Sequence, residues 1–404
     1  YMHDYILDDA LTAHEDDEEQ PSKGNKKRKA LRTLFKNCLS KVDKGERSCP
    51  IVLQKITFNV FSDYLAQRRS KKGAMLSKAS YGGIVSAWMY LINKAGYKMP
   101  PEFQKDLNTV QRGMKRKVTS EKVKSGRSLE EGKKPMNFDV YKLMCKKLLQ
   151  MEKDEGAFAH LFLILEWNLM ARASNCLLLH LGHIEWRNDC LVFFFGKSKG
   201  DQTGENSNNP WHVYSNPYEP CICPVLAMAQ YVCSYPDIAT GKARLFPGND
   251  QYNRFLKIFH RVVEANIEEF QALGVTKQSL GAHSPRKGAI TMVSTGCTVS
   301  PPMASICLRA AWSMGSVKDR YIHYEKAGDQ FTGRCCTGIS SLTKEFAASP
   351  VYFDYTTSGN AGKKTVTKVI QKNFMNSRLV EPHVFELLRY FYAAMCYHLS
   401  LIHI

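Results

Sequence analysis

The sequence predicts a mainly α-helical protein with one small antiparallel β-sheet, an α+β chain. Two observations of pattern and one of size support this. Apolar residues recur at helical spacing through most of the chain, as in Ile56, Val60, Phe61, Tyr64 and Leu65. Between His183 and Tyr214 the pattern changes to short β-branched and aromatic runs separated by turn formers. With 404 residues, 44% of them hydrophobic, the chain can fill two or three cores and is too apolar to be disordered throughout.

Residues 1–33 form a charge-segregated tail. An acidic block, Glu15 to Glu19, precedes a basic run from Lys23 to Arg32. Such blocks are expected to be disordered. The basic run has the composition of a nuclear-import signal or a DNA-contacting arm, and equally that of a solvated tail. Residues 34–118 carry four helical patterns and read as a compact helical domain. The first holds Leu34, Phe35 and Leu39, and the second runs from Ile51 to Arg69. The third follows Ser77 as N-cap, and the fourth follows Pro100-Pro101.

Residues 119–136 read as a basic linker that overlaps the basic stretch from Arg112 to Lys134. Arg112, Lys115, Arg116 and Lys117 in that stretch are candidate phosphate contacts. A larger domain is expected over 137–345. Asn137 caps its first helix, and a very apolar helix then ends near Arg172. The sheet should comprise a strand at 183–186, a second at 190–195 and a third at 211–214. Further helices are expected over Pro224 to Val232 and Tyr252 to Leu273. Residues 346–404 read as a C-terminal extension. Its first part, within Thr343 to Thr367, is irregular, and an amphipathic helix over Glu381 to Leu399 packs on its own domain or on a second copy.

The formal net charge of +18 points to a polyanionic partner, and double-stranded DNA is the first expectation. The thirteen cysteines are odd in number and scattered, which fits a reducing compartment better than a disulfide framework. Cys221-x-Cys223 and Cys335-Cys336 lack a second ligand pair at zinc spacing, so no metal is expected. The first residues do not form a secretory signal, and the apolar C-terminal run is broken by Glu386, Arg389, His398 and His403. No membrane association is expected.

Chemistry concentrates between His283 and Tyr324. His283 and Arg286 stand in an H-x-x-R arrangement, Trp312 follows, and Tyr321 lies nine residues beyond Trp312. Arginines grip non-bridging phosphate oxygens through paired hydrogen bonds, and a tyrosine hydroxyl can act as a covalent nucleophile. Arg172, at the end of a buried helix, and Lys197, at a hairpin tip, extend the set. Lys199 competes with Lys197, and Tyr324 competes with Tyr321. Lys287 and Arg320 are candidate additional phosphate contacts.

The order Arg172, Lys197, His283, Arg286, Trp312, Tyr321 resembles that of the tyrosine recombinases, the family of phage integrases. The wording H-S-P-R-K-G-A and L-R-A-A-W-S-M-G most resembles Crypton-type recombinases of eukaryotic mobile elements. The resemblance implies a helical core-binding domain over 34–118 and a catalytic domain over 137–345. It also implies cleavage through a 3′-phosphotyrosyl bond to Tyr321, with Arg172, Arg286, His283 and Trp312 around the phosphate and Lys197 as general acid. No cofactor is then needed. It further implies a homotetramer on two duplexes and a nuclear location. A type IB topoisomerase shares this chemistry, and a domesticated, non-catalytic DNA-binding protein is the competing class.

Overall fold

The protein is described from a computed structural model over residues 56–70, 73–126, 132–151, 153–196, 209–240, 244–276, 279–315, 321–356, 359–374 and 380–398. Contacts divide it after Glu131 into two units, taken here one at a time.

The first unit holds three described helices: α1 (Phe58–Gln67), α2 (Lys78–Lys94) and α3 (Pro101–Lys124). Each start follows from its capping residue. Thr57 and Ser77 accept hydrogen bonds from the N–H groups of Val60 and Ser80, and Pro101 opens α3 where no N–H is needed. Phe61 stacks on Trp88 at 5.0 Å, and Leu65, Ile92, Leu107, Met114 and Val118 complete the core.

One boundary needs correcting. The expected linker begins inside α3, which continues to Lys124 because Leu107, Met114 and Val118 hold a narrow buried stripe. The surrounding lysines and arginines mask that stripe in the sequence. Arg112, Lys115, Arg116 and Lys117 are exposed on this helix. The helix expected around Leu34 and the charged tail lie outside the described residues.

The second unit opens with α4 (Phe138–Leu149), capped by the Asn137 side chain, which accepts from Val140 N–H at 2.8 Å. Next is α5 (Lys153–Asn168), and every residue from Phe158 to Ala171 is buried. A helix apolar on all sides must be surrounded. Here α4, α7 (Pro224–Ser234), α8 (Gln251–Ala265) and α10 (Ser284–Thr291) pack around α5. The short α6 (Ala173–Cys176) follows α5, and α9 (Ile267–Ala272) follows α8. The single helix expected over Tyr252 to Leu273 is therefore broken, at Asn266.

The sheet has the expected three antiparallel strands in the order β1 (Ile184–Arg187), β2 (Cys190–Phe193) and β3 (Trp211–Val213). Ile184 faces Phe193 and Leu191 faces Val213. The remaining α-helices among the described residues are α11 (Met303–Arg309), α12 (Lys326–Cys336), α13 (Gly359–Asn373) and α14 (Pro382–Tyr397). The helix α13 occupies part of the stretch expected to be irregular. Ile370 and Phe374, one turn apart, anchor it in the core amid lysines and threonines.

Residues 346–404 are also not a separate extension. Val384, Leu387, Leu388 and Phe391 of α14 enter the core of the second unit, and Tyr390 stacks on Trp186 at 3.6 Å. The apolar face of this helix is thus buried within its own chain. Among the described residues no helix is long and apolar enough to cross a membrane.

A buried charge ties the second unit together. Arg309, at the end of α11, donates to Asp329 Oδ1 at 2.6 Å, to the Asn168 carbonyl at 2.7 Å and to the His212 carbonyl at 2.8 Å. The other carboxylate oxygen of Asp329 accepts from the His212 backbone N–H at 2.8 Å and lies 2.8 Å from His212 Nδ1. One guanidinium therefore joins the end of α5, strand β3 and helix α12. Burial pushes the Asp329 carboxyl up, but the Arg309 charge and the His212 hydrogen bonds outweigh it and hold the group below its ordinary value of 3.8.

Since the folded value is depressed, this stabilisation is present above pH 3.8 and is lost as pH falls through the folded value. Replacing Asp329 by Asn should cost about 3–5 kcal/mol, because it strands a buried guanidinium. Denaturant unfolding at neutral pH measures that loss. Repeated toward acid pH, it should show the variant's deficit shrinking as wild-type Asp329 itself protonates.

Candidate functional site

Arg172 follows the left-handed turn that ends α5. Met170 sits at φ 49°, a conformation that side chains other than glycine rarely adopt, and Arg172 then occupies the N-cap position of α6. Its Nη1 is buried and has no hydrogen-bond partner among the described residues.

Arg286 comes from the first turn of α10, where it is 6% exposed. This helix lies against Met136 and Trp167 because Gly288 has no side chain. A Cβ at that position would fall 1.8 Å from the Met136 carbonyl oxygen and 2.9 Å from the Trp167 ring. The glycine of the H-S-P-R-K-G-A motif therefore sets how deeply Arg286 is buried.

The charge of Arg172 acts on Arg286. Arg286 is held down to about 10, first by burial and then by the positive charge of Arg172. Arg286 also donates to the Ala310 carbonyl, and its guanidinium lies 6.0 Å from the Trp312 ring centre. Trp312 is 44% exposed and follows Ala311, a second left-handed residue at φ 49°. The fold thus gathers Arg172, Arg286 and Trp312 from three separate parts of the chain. The positive charge of Arg172 bears on Arg286, and an anion between or upon them would relieve that repulsion.

The other expected residues divide into three groups. His283 is exposed at the N-cap of α10, one turn before Arg286. Lys287 is exposed and donates to the Lys133 carbonyl at 2.6 Å, a bond that holds α10 to the start of the unit. Lys197, Lys199 and Arg320 lie outside the described residues.

The two tyrosines have different surroundings. Tyr321 is 73% exposed, and among the described residues no hydrogen bond or ion pair joins it to the arginines. The Tyr324 hydroxyl donates to the Pro210 carbonyl at 2.7 Å. Burial, then the charge of Asp329, push its ionisation upward, so it is a poor source of phenolate.

Sequence reasoning passed over Glu166, Asn168, His212, Arg309 and Asp329. Glu166 was visible as a carboxylate inside an apolar run, and Arg309 as the arginine of L-R-A-A-W. The partners of Arg309 come from distant segments, and no local pattern brings them together. Among the described residues no three His, Cys, Asp or Glu side chains gather as a metal site.

No protein-family model matches the chain, and no curated protein is similar to it in sequence. Among solved structures, the chain is similar to the XerH site-specific recombinase bound to difH substrate in a pre-cleavage complex. The two share 14% identity with a TM-score of 0.33, over 74% of this chain and 91% of that one.

The contrast between the tyrosines can be measured. Limited nitration followed by peptide mapping should modify Tyr321 well before Tyr324, and Tyr324→Phe should cost about 0.5–1.5 kcal/mol through the lost bond to Pro210.

Proposed function

We propose that this protein cleaves and rejoins DNA strands by the chemistry of a tyrosine recombinase. The observation that carries the reading is the pairing of Arg172 with Arg286 beside Trp312. A pair of partly buried guanidiniums with a free donor suits the two non-bridging oxygens of one phosphodiester.

In this reading the Tyr321 oxygen attacks phosphorus and the bond to the 5′-oxygen breaks. Lys197 supplies the proton that the departing 5′-oxygen takes up. A 3′-phosphotyrosyl bond preserves the phosphodiester energy. Attack by a 5′-hydroxyl then restores the DNA backbone and releases the tyrosine. Arg172 and Arg286 stabilise the charge that grows on the phosphate oxygens in both steps. His283 holds the phosphate or assists deprotonation of Tyr321, and Trp312 supports the pocket.

The partner is double-stranded DNA, which the charge of +18 favours, with Arg112, Lys115, Arg116 and Lys117 on α3 and Lys287 on α10 as further phosphate contacts. The motif wording adds a finer reading: a Crypton-type enzyme of a mobile element, tetrameric on two duplexes and nuclear. The apolar face of α14 is occupied within its own chain.

The test is a nicked suicide substrate drawn from the sequences that flank the gene. Wild type and Tyr324→Phe should form a denaturant-stable DNA adduct, and Tyr321→Phe should form none. Arg172→Ala or Arg286→Ala should slow adduct formation about 10²–10³-fold. An adduct that persists in Tyr321→Phe and vanishes in Tyr324→Phe would reassign the nucleophile. DNA binding without any adduct would favour the non-catalytic binder.

A further inference from the structure

This inference rests on the reading of Arg172 and Arg286 as a phosphate clamp, and it concerns the carboxyl group behind them. Glu166 lies on α5 and is 0% exposed. Among the described residues neither of its carboxyl oxygens has a hydrogen-bond partner. Asp329 in the same unit shows what an ionised carboxylate requires there: a guanidinium at 2.6 Å and the His212 N–H at 2.8 Å. Glu166 has neither. An ionised carboxylate left without donors in a dry core costs several kcal/mol, whereas a carboxylic acid costs far less.

The groups that act on Glu166 are few. Arg286 reaches it electrostatically from α10, and Cys176 faces both of them from α6. Elsewhere around α5 the ionisable groups engage each other. Tyr141 of α4 acts with Cys145, Tyr231 of α7 with Tyr235 and Arg254, and Asp329 of α12 with Arg309. Burial drives the Glu166 carboxyl well up, and the Arg286 charge opposes this only in part.

We propose that Glu166 is a charge-setting positioning residue of the clamp. As a neutral acid it leaves both positive charges of Arg172 and Arg286 to the phosphate, and when ionised at raised pH it cancels one of them. Proton and phosphate binding are then linked. A bound phosphodiester favours the protonated acid, and ionisation of the acid weakens the hold on phosphate. Glu166 itself touches no substrate and acts only through Arg286.

The test has two arms on the full-length protein. Infrared spectroscopy of glutamate-labelled wild type should show a protonated carboxyl band at neutral pH that disappears in Glu166→Gln. The band should titrate away on the alkaline side. Affinity for a short fluorescent DNA duplex should then fall about tenfold further in wild type than in Glu166→Gln as pH rises from neutral, over a range kept below about 10, where Arg286 releases its proton in both proteins. In Glu166→Gln, where the group is permanently neutral, only the decline common to both proteins should remain.

Absence of the protonated band in wild type, a measurement that needs no variant to fold, overturns the inference and leaves the clamp reading intact. The same pH profile in wild type and Glu166→Gln also overturns it. Unchanged DNA affinity in Arg286→Ala would remove the clamp reading, and this inference with it.

Discussion

Arg309 is the fixed point of the second unit. Its guanidinium is shut inside the core, where a charge survives only with strong partners, and both terminal nitrogens are answered while Nε has no partner among the described residues. The answers come from the end of α5, from β3 and from α12, elements far apart in the chain. These three elements lead to the candidate site. The end of α5 runs into Arg172, α11 runs into Trp312, and α12 begins just after Tyr321. A core bond therefore positions surface chemistry without taking part in it.

Three arginines of the unit form a graded series. Arg309 is paired with the Asp329 carboxylate and answered at both terminal nitrogens, and its role is structural. Arg286 is compensated in part, by the Ala310 carbonyl and the face of Trp312, while its neighbour Arg172 pushes against it. Arg172 is half-buried and keeps an unanswered donor. The sequence treats all three alike, and only their surroundings separate structural charge from charge held in reserve. Gly288 and the left-handed residues Met170 and Ala311 mark where the backbone is held in demanding geometry to achieve this.

Elements with a single dominant local signal were legible in the sequence. The Asn137, Ser77 and Pro101 helix starts and the three-stranded sheet belong here, as does the apolar helix ending before Arg172. Elements whose apolar stripe is narrow and set among lysines were not. Both the second half of α3 and the first part of α13 read as linker or irregular chain, because one to three buried residues per helix are few against so much charge. At the site, Arg172, Arg286 and Trp312 were found by order and spacing, and the fold brings them together. Glu166 and the network of Arg309 depend on contacts over more than a hundred residues, which spacing does not encode. Tyr321 and Tyr324 have the same residue type a turn apart, and burial separates them.

Whether the arginine pair holds a phosphodiester for attack by Tyr321 is open to direct measurement. The most direct measurement is mass-spectrometric mapping of the residue that carries nucleotide after the protein is trapped on nicked DNA, denatured and digested. Attack by Tyr321 requires a 3′-phosphonucleotide on the peptide containing Tyr321, formed by wild type and strongly reduced when Arg172 or Arg286 is replaced. Nucleotide on Tyr324, or on a residue whose labelling is indifferent to both arginines, would contradict it.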